Sequence, residues 1–296
     1  MLKARSGSHV VMPEKTSAFA HGDAFFAECG VVNEFIDASV RPIVDRVFDG
    51  SKPEHSTFLG ALLRVTAWLR SLKKLNHPGD FQAVVCCSRA LLEIAIDLSL
   101  LQFDAARHSH DMIASWERSA KFKHAKGVER FYARAGKAVP NDLVEVVNFI
   151  AREGAVVDAE RRKHWPQTNG AHPVRWTGRS LPDDAREADK VVPHGFVADL
   201  NADSFSEFCT RRFAHLCWST HGSGLAGVRF LSEGHFPGVS ALGFAESAQL
   251  AVTCVDLLLR LFGRHDEIMQ VRFQKLKAER FVARAKVLIT YPPALW

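Results

Sequence analysis

Apolar residues recur three and four positions apart along most of the chain, the spacing that places them on one face of an α-helix. No segment shows the sustained alternation of apolar and polar residues that marks a half-buried strand. The pattern therefore predicts an all-α protein, a single globular bundle of about eight or nine helices over residues 21–296. Residues 1–20 form a polar N-terminal tail in this interpretation.

Start and stop signals place the helix ends. Pro42 should bend or restart the first helix, Asp80 can cap the third, and Ser204 with Glu207 reads as a capping box. The helix predicted over 81–106 has apolar residues around most of its circumference, so it should lie at the centre of the bundle. The predicted helices cover about 35–47, 53–74, 81–106, 111–135, 140–162, 204–220, 240–263 and 266–287.

The helical pattern fails between about residues 164 and 195, where Trp, Pro, Gly and His are frequent. Long irregular connections in compact domains are usually functional or disordered. Trp165 and Trp176 favour an ordered insertion, because large aromatic side chains are normally buried. One short acidic helix is expected inside it, from Pro182 to Asp189.

Composition agrees with a soluble globular protein: 47% of the 296 residues are hydrophobic and 24% are charged. No uninterrupted apolar stretch reaches the about 20 residues of a membrane-spanning helix, and residues 1–15 lack the apolar block of a secretory signal. We expect a cytoplasmic protein without a membrane partner. The six cysteines lack CxxC spacing, so we expect reduced, buried thiols.

The net charge of +5 is unevenly spread. Residues 260–286 contain eight Lys and Arg against three acidic residues, and a second basic stretch runs from Arg118 to Lys137. Such runs either form solvated helix faces or bind an anionic partner such as RNA. Both alternatives stay open at this point.

Three polar fragments are candidates for chemistry, and the first lies in the central helix. Arg89, Glu93 and Asp97 follow one another at four-residue spacing and so share one helix face. Charges in an apolar helix are costly unless they are paired or have a task. The three residues form either a half-buried ion-pair ladder or a pocket wall, in which Arg89 binds an anion and Glu93 acts as a base or ligand.

The second fragment, residues 175–180, belongs to the irregular insertion. Trp176 could anchor a loop by its burial. Alternatively, Thr177, Arg179 and Ser180 offer hydrogen-bond donors around a turn at Gly178, an arrangement suited to an oxyanion or a phosphate.

The third fragment, residues 219–224, ends the helix that the capping box begins. In that helix Arg211 and His215 lie one turn apart on one face, with Arg212 between them, and Ser219 and His221 follow. A histidine near a helix C-terminus has its protonated form favoured by the helix dipole, although such residues often serve as caps.

Known motifs add little. The His-x-His of His108 and His110 has a metal-ligand spacing but no matching second pair. No phosphate-binding glycine loop, dinucleotide fingerprint, nucleophile elbow or HExxH occurs. We therefore expect no metal and no cofactor.

Taken in order, the Arg89–Glu93 pair, the Trp-x-Gly-x-Ser element at 176–180 and the Ser-Thr-His-Gly-Ser element at 219–223 resemble a bacterial helical family, catalogued as domain of unknown function 5677. The resemblance covers about residues 60–260 and implies an all-helical fold without an established activity. The chain is more distantly similar to the HEPN class of helical ribonucleases. That class uses an Arg and a His, separated by four to six residues and paired across a dimer, to cleave RNA without metal.

The HEPN comparison implies RNA as substrate and a homodimer, although the spacing differs here. Arg211 is closer to His215 than in that class, and Arg212 is farther from His221.

Two functional hypotheses follow. In the first, the protein is a metal-independent ribonuclease of the toxin or defence type. His221 or His215 is then the acid–base group, Arg212 and Arg89 stabilise the phosphate charge, and the two basic stretches hold the RNA backbone. Glu93 is a further catalytic candidate, and Trp176, Arg179, Ser180 and Ser219 are candidates for ligand binding.

In the second hypothesis, the protein is a non-catalytic helical binding or regulatory module, and the polar fragments are structural. A metal-dependent hydrolase is a distant third. Because a buried charge needs a partner, we expect the three fragments to meet, with Glu93 within hydrogen-bonding or one-water reach of residues 176–180 or 219–223.

Overall fold

In a computed structural model, the described part of the chain comprises residues 20–75, 77, 80–193, 196, 202–213, 216–217 and 236–290. These residues are mostly helical and include no strand, which confirms the predicted all-α class. The helical segments are α1 (Ala20–Phe35), α2 (Arg41–Val47), α3 (Pro53–Leu72), α4 (Phe81–Phe103), α5 (His110–Ala135), α6 (Val144–His164), α7 (Leu181–Asp189), α8 (Phe205–Phe208), α9 (Phe236–Leu261) and α10 (Glu267–Thr290).

The first two segments form one continuous rod. A π-helical turn, Ile36–Val40, joins α1 to α2, and Pro42 lies in the first turn of α2. Proline has no N–H to donate, so the backbone hydrogen bonds change register there. Counted with this rod as one element, the described residues form nine helices, within the predicted number.

The helices α4 and α9 form the centre of the bundle. They pack along each other, α1 lies against α9 and α10, and α3 covers both central helices. The apolar residues of α4 are buried around most of its circumference, as its sequence predicted. A Cβ added at Gly243 of α9 would lie 2.8 Å from Val84 Cγ1, so glycine permits the close approach of the two helices.

The helices α5 and α6 form an antiparallel hairpin. Arg118 of α5 forms an ion pair with Glu160 of α6, and Phe122, one turn later in α5, lies beside Gly154, which precedes Glu160 in α6. α5 ends at Gly136, whose φ of +61° is the left-handed conformation that commonly follows a helix. The hairpin meets the rest of the bundle through α3 and through the irregular segment after α6.

Several predicted boundaries need correction. The first helix begins at Ala20 rather than at residue 35, and α4 ends at Phe103 rather than at residue 106. The earlier end follows from a turn in which the carbonyl of Asp104 accepts hydrogen bonds from the amides of Arg107 and His108. The Ser204 cap is present, since its side chain accepts a hydrogen bond from the amide of Glu207.

Composition alone would allow one described helix to cross a membrane. The helix is Gly238–Leu261 in α9, and 83% of the residues in its apolar stretch are buried inside the bundle, as expected for the core helix of a globular protein. All six cysteines are free thiols, and Cys86 and Cys217 are only partly buried.

Candidate functional site

The charged face of α4 lies against the irregular segment that follows α6. Arg89 Nε lies 3.1 Å from Glu93 Oε1, and Glu93 Oε2 lies 3.9 Å from Arg175 Nη1. Asp97 accepts a hydrogen bond from Arg175 Nη2. Each of the three α4 charges therefore has a partner, and the geometry favours the ion-pair ladder over an open anion pocket. Arg175 is the first residue of the second polar fragment, next to the range in which a partner for Glu93 was predicted.

A buried carboxylate, Asp184 of α7, is the centre of a network that we call the clasp (Asp97, Arg175, Thr177, Arg179 and Asp184). The Asp184 side chain is 0% exposed. It accepts hydrogen bonds from Arg175 Nε at 2.8 Å, Thr177 Oγ1 at 2.7 Å and Arg179 Nε at 3.0 Å. The clasp thereby joins the irregular segment to both α4 and α7.

The electrostatics of the clasp reflect its burial. Burial raises the pKa of the Asp97 carboxyl to about 6, against the opposing effect of the Arg175 guanidinium. Burial alone would lower the pKa of Arg175, but the Asp97 and Asp184 carboxylates raise it above its usual range. Arg175 therefore stays charged and remains bound to its carboxylates.

His108 lies at one edge of the clasp. Its Nε2 is 2.8 Å from Arg179 Nη2, and its Nδ1 is 2.9 Å from Asp104 Oδ2. Because a guanidinium can only donate, Nε2 must accept, which assigns the ring proton to Nδ1 on the Asp104 side. Burial lowers the pKa of His108, so the neutral ring is favoured.

The turn at residues 176–180 is held by packing rather than open to a ligand. Trp176 is buried, and its carbonyl accepts a hydrogen bond from Trp165 Nε1 at 2.8 Å. Gly178 has a φ of +78°, and a Cβ there would lie 2.9 Å from Trp165 Cδ1. Ser180 caps the N-terminus of α7. Three of the predicted ligand-binding residues, Trp176, Arg179 and Ser180, therefore have structural partners.

Arg212, predicted to stabilise phosphate, also has a buried partner. Its Nε donates a hydrogen bond to Glu246 Oε1 of α9, and Glu246 Oε2 accepts from Ser88 Oγ of α4 at 2.8 Å. Burial raises the pKa of Glu246, against the effect of Arg212. The pair connects the π-helical turn Cys209–Phe213 to the two central helices.

His215, Ser219 and His221 lie outside the described residues, so their roles stay predictions, as does the meeting of the third fragment with the other two. The described part of the chain contains no group of three or more His, Cys, Asp or Glu placed to hold a metal ion. His108 and His110 have different partners, since His110 lies 3.0 Å from Asp111.

A second candidate lies on the hairpin. The outer face of α5 lines a groove of about 610 Å³, which we call the α5 groove. Phe131 is 64% exposed there, although it is a large apolar side chain. The lining residues recur at helical spacing over four turns of α5, joined by one residue of the irregular segment: Trp116, Ala120, Lys123, His124, Gly127, Val128, Phe131, Tyr132 and His172.

The helix that forms the groove is strongly basic, and Lys123 is its cation in the groove lining. Residues 118–137 contain seven Lys and Arg against the single acidic residue Glu129. Lys126 is within 3.0 Å of Glu129, and Arg118 is bound to α6, but Lys123, Arg130 and Arg134 are exposed. Exposed aromatic and cationic side chains thus occur together on α5.

His172 is the groove residue that does not belong to α5. It is held in place by hydrogen-bonding contacts that we call the relay (Arg161, Ser119 and His172). Arg161 of α6 is buried and donates from Nε to Ser119 Oγ at 2.8 Å and from Nη1 to the carbonyl of Gly170 at 3.0 Å. Ser119 Oγ lies 2.9 Å from His172 Nδ1. The Trp116 ring lies 5.5 Å from the His172 ring, and its Nε1 donates to the carbonyl of Pro173 at 3.1 Å.

Sequence reasoning predicted the basic character of α5 but missed the groove. The available signal was the occurrence of aromatic residues in a polar helix, at Trp116, Phe131 and Tyr132, of which Phe131 is exposed and Trp116 packs partly against the core. His172 carried no signal, because its contact with Ser119 spans 53 residues.

Comparison with family models, with curated proteins and with solved structures found no match to this chain. The resemblance to the family of domain of unknown function 5677 and to HEPN proteins stays a prediction.

Proposed function

We propose that this protein is a helical RNA-binding module and that RNA lies along the α5 groove. The observation that carries the proposal is the joint exposure of aromatic rings and cations on one helix face. Lysine and arginine side chains neutralise phosphates, while aromatic rings stack on bases. Both features are present at Lys123, Arg130 and Phe131.

The ion pairs of the interior support binding rather than catalysis. Arg89, Arg175 and Arg212 are engaged with carboxylates of the protein. To reach a phosphate, Arg175 or Arg212 must leave a buried carboxylate unpaired, Asp184 or Glu246, which costs about 3–5 kcal/mol. Ribonuclease activity through His215 or His221 remains a separate prediction.

The basic segment 260–286 is a weaker candidate for RNA. Two of its cations are already paired: Arg260 with Asp256, and Arg280 with the buried Glu28. Lys275 is 77% exposed, which makes it useful for a control.

The test is fluorescence anisotropy with a labelled 12-nucleotide single-stranded RNA at two salt concentrations. Each phosphate contact should lower the affinity by about 2.6-fold between about 50 and 200 mM salt, so three or four contacts give about 20- to 50-fold. A variant with Lys123→Gln and Arg130→Gln should bind more weakly and lower the salt slope by about 1.4, or about 0.7 for each contact removed.

The matched control removes the same charge from the other basic surface, with Lys275→Gln and Lys277→Gln on α10. Equal losses in the two double variants would contradict the assignment to α5, and no binding by the unaltered protein would contradict RNA binding itself.

A denaturing gel of the same samples in EDTA, with His221→Ala beside the unaltered protein, tests the ribonuclease prediction. Cleaved RNA from the unaltered protein would contradict a purely binding role.

A further inference from the structure

The relay at the end of the α5 groove favours one tautomer of His172. Arg161 can only donate, so Ser119 Oγ accepts from it and keeps its own hydroxyl proton. That proton is available to His172 Nδ1 at 2.9 Å. We infer the tautomer in which Ser119 donates this proton, so that Nδ1 accepts and the ring proton lies on Nε2.

The surroundings also favour the neutral ring. Burial lowers the pKa of His172, and the nearby charges of Lys123 and Arg161 lower it further. His172 is thus a hydrogen-bond donor with a fixed orientation, comparable to an amide N–H rather than to a cation.

Trp116 completes this end of the groove. Its ring plane is tilted by 33° from that of His172, and the hydrogen bond to the Pro173 carbonyl fixes its orientation. Lys123 lines the groove two turns further along α5. The ligand that fits these three side chains is a flat ring with a hydrogen-bond acceptor on its edge, attached to a phosphate.

We propose that Trp116 and His172 bind an unpaired base of the RNA, with Trp116 stacking on the base and His172 Nε2–H donating to an acceptor on its edge. This inference rests on the proposed function and narrows it to single-stranded RNA. A base in a duplex is stacked and paired, so its faces and edge are not available to this subsite.

Three sets of measurements test the subsite. The labelled single strand should bind at least tenfold more tightly than the same strand annealed to its complement. Trp116→Ala should weaken binding of the single strand by about 5- to 150-fold, the range found for loss of one base–aromatic stack. Gly127→Leu should place a side chain in the middle of the groove and block RNA binding. It should not lower thermal stability, since no atom lies within 4 Å of a Cβ built there.

His172 is tested with two amides of different length. In His172→Gln the amide nitrogen can reach the place of Nε2 and donate, whereas in His172→Asn it reaches only the place of Nδ1. We expect His172→Gln to retain most of the affinity and His172→Asn to lose it, with similar thermal unfolding of both variants.

The results separate the two proposals. If no RNA binds to the unaltered protein, the proposed function is overturned together with this inference. If single strand and duplex bind equally well and both His172 variants match the unaltered protein, only the base subsite is overturned.

Discussion

Asp184→Asn should be the most damaging conservative change in the clasp. Asparagine keeps the shape of the carboxylate but carries no charge and replaces one acceptor oxygen by a donating NH2 group. Asp184 is completely buried and accepts from Arg175, Thr177 and Arg179. The variant therefore places a donor against donors in a site that water does not reach.

The magnitude follows from the partners that remain. Removing one member of a buried ion pair costs about 3–5 kcal/mol, because the other charge is left buried. Here Arg175 keeps Asp97 and Arg179 keeps the nitrogen of His108. We therefore expect the low end of the range, about 3 kcal/mol.

Urea unfolding followed by circular dichroism measures this loss. With a slope of about 3 kcal/mol/M, a loss of about 3 kcal/mol lowers the midpoint by about 1 M. The control is Asp183→Asn in the same helical turn, where the side chain is 44% exposed and its ion pair with Arg186 is worth about 0–1 kcal/mol. Equal midpoints for the two variants, at unchanged slope, would refute the view that Asp184 organises the segment.

Two further predictions concern the surroundings of the clasp. Because the pKa of His108 is lowered in the folded protein, its contribution to stability is present above the unfolded pKa of about 6.5 and is lost as the pH falls below that value. His108→Gln should flatten the decline in unfolding midpoint between pH 7 and 5, and an unchanged decline would exclude this role. Gly178→Ala should lower the free energy of unfolding by about 2–4 kcal/mol, since it adds an alanine in the left-handed conformation and a close contact with Trp165. Its control, Gly127→Ala, should instead stabilise α5 by about 0.5–1 kcal/mol, and thermal or urea unfolding measures both. A Gly178→Ala variant as stable as Gly127→Ala would contradict the turn assignment.

The helical architecture could be predicted because it depends on local spacing. The period of about 3.6 residues placed Arg89, Glu93 and Asp97 on one face of a buried helix, and the structure agrees. Boundaries were less predictable where tertiary contacts decide them. The early end of α4 at Phe103 depends on a turn at Asp104, a residue that also contacts His108.

The partners of the charges could not be predicted, because pairing between distant segments has no periodic signature. Asp97 and Arg175 are separated by 78 positions, and Arg212 and Glu246 by 34. A buried charge requires some partner, so the sequence indicates that partners exist without identifying them. The same limit applies to His172, whose orientation depends on a serine of α5 and an arginine of α6.

Residue type alone does not decide whether a cation holds the fold or meets a ligand; burial does. Arg175 is fixed between two carboxylates, and exchanging them for a phosphate would lose about 3–5 kcal/mol against the about 1.5–3 kcal/mol of one charge-assisted hydrogen bond. Lys123 is exposed and meets no such cost. The clasp and the α5 groove are nevertheless connected, because the irregular segment between α6 and α7 carries both Arg175 and His172. The buried charges keep that segment in place, and its fixed position holds a neutral histidine in a groove that is otherwise formed by a single helix.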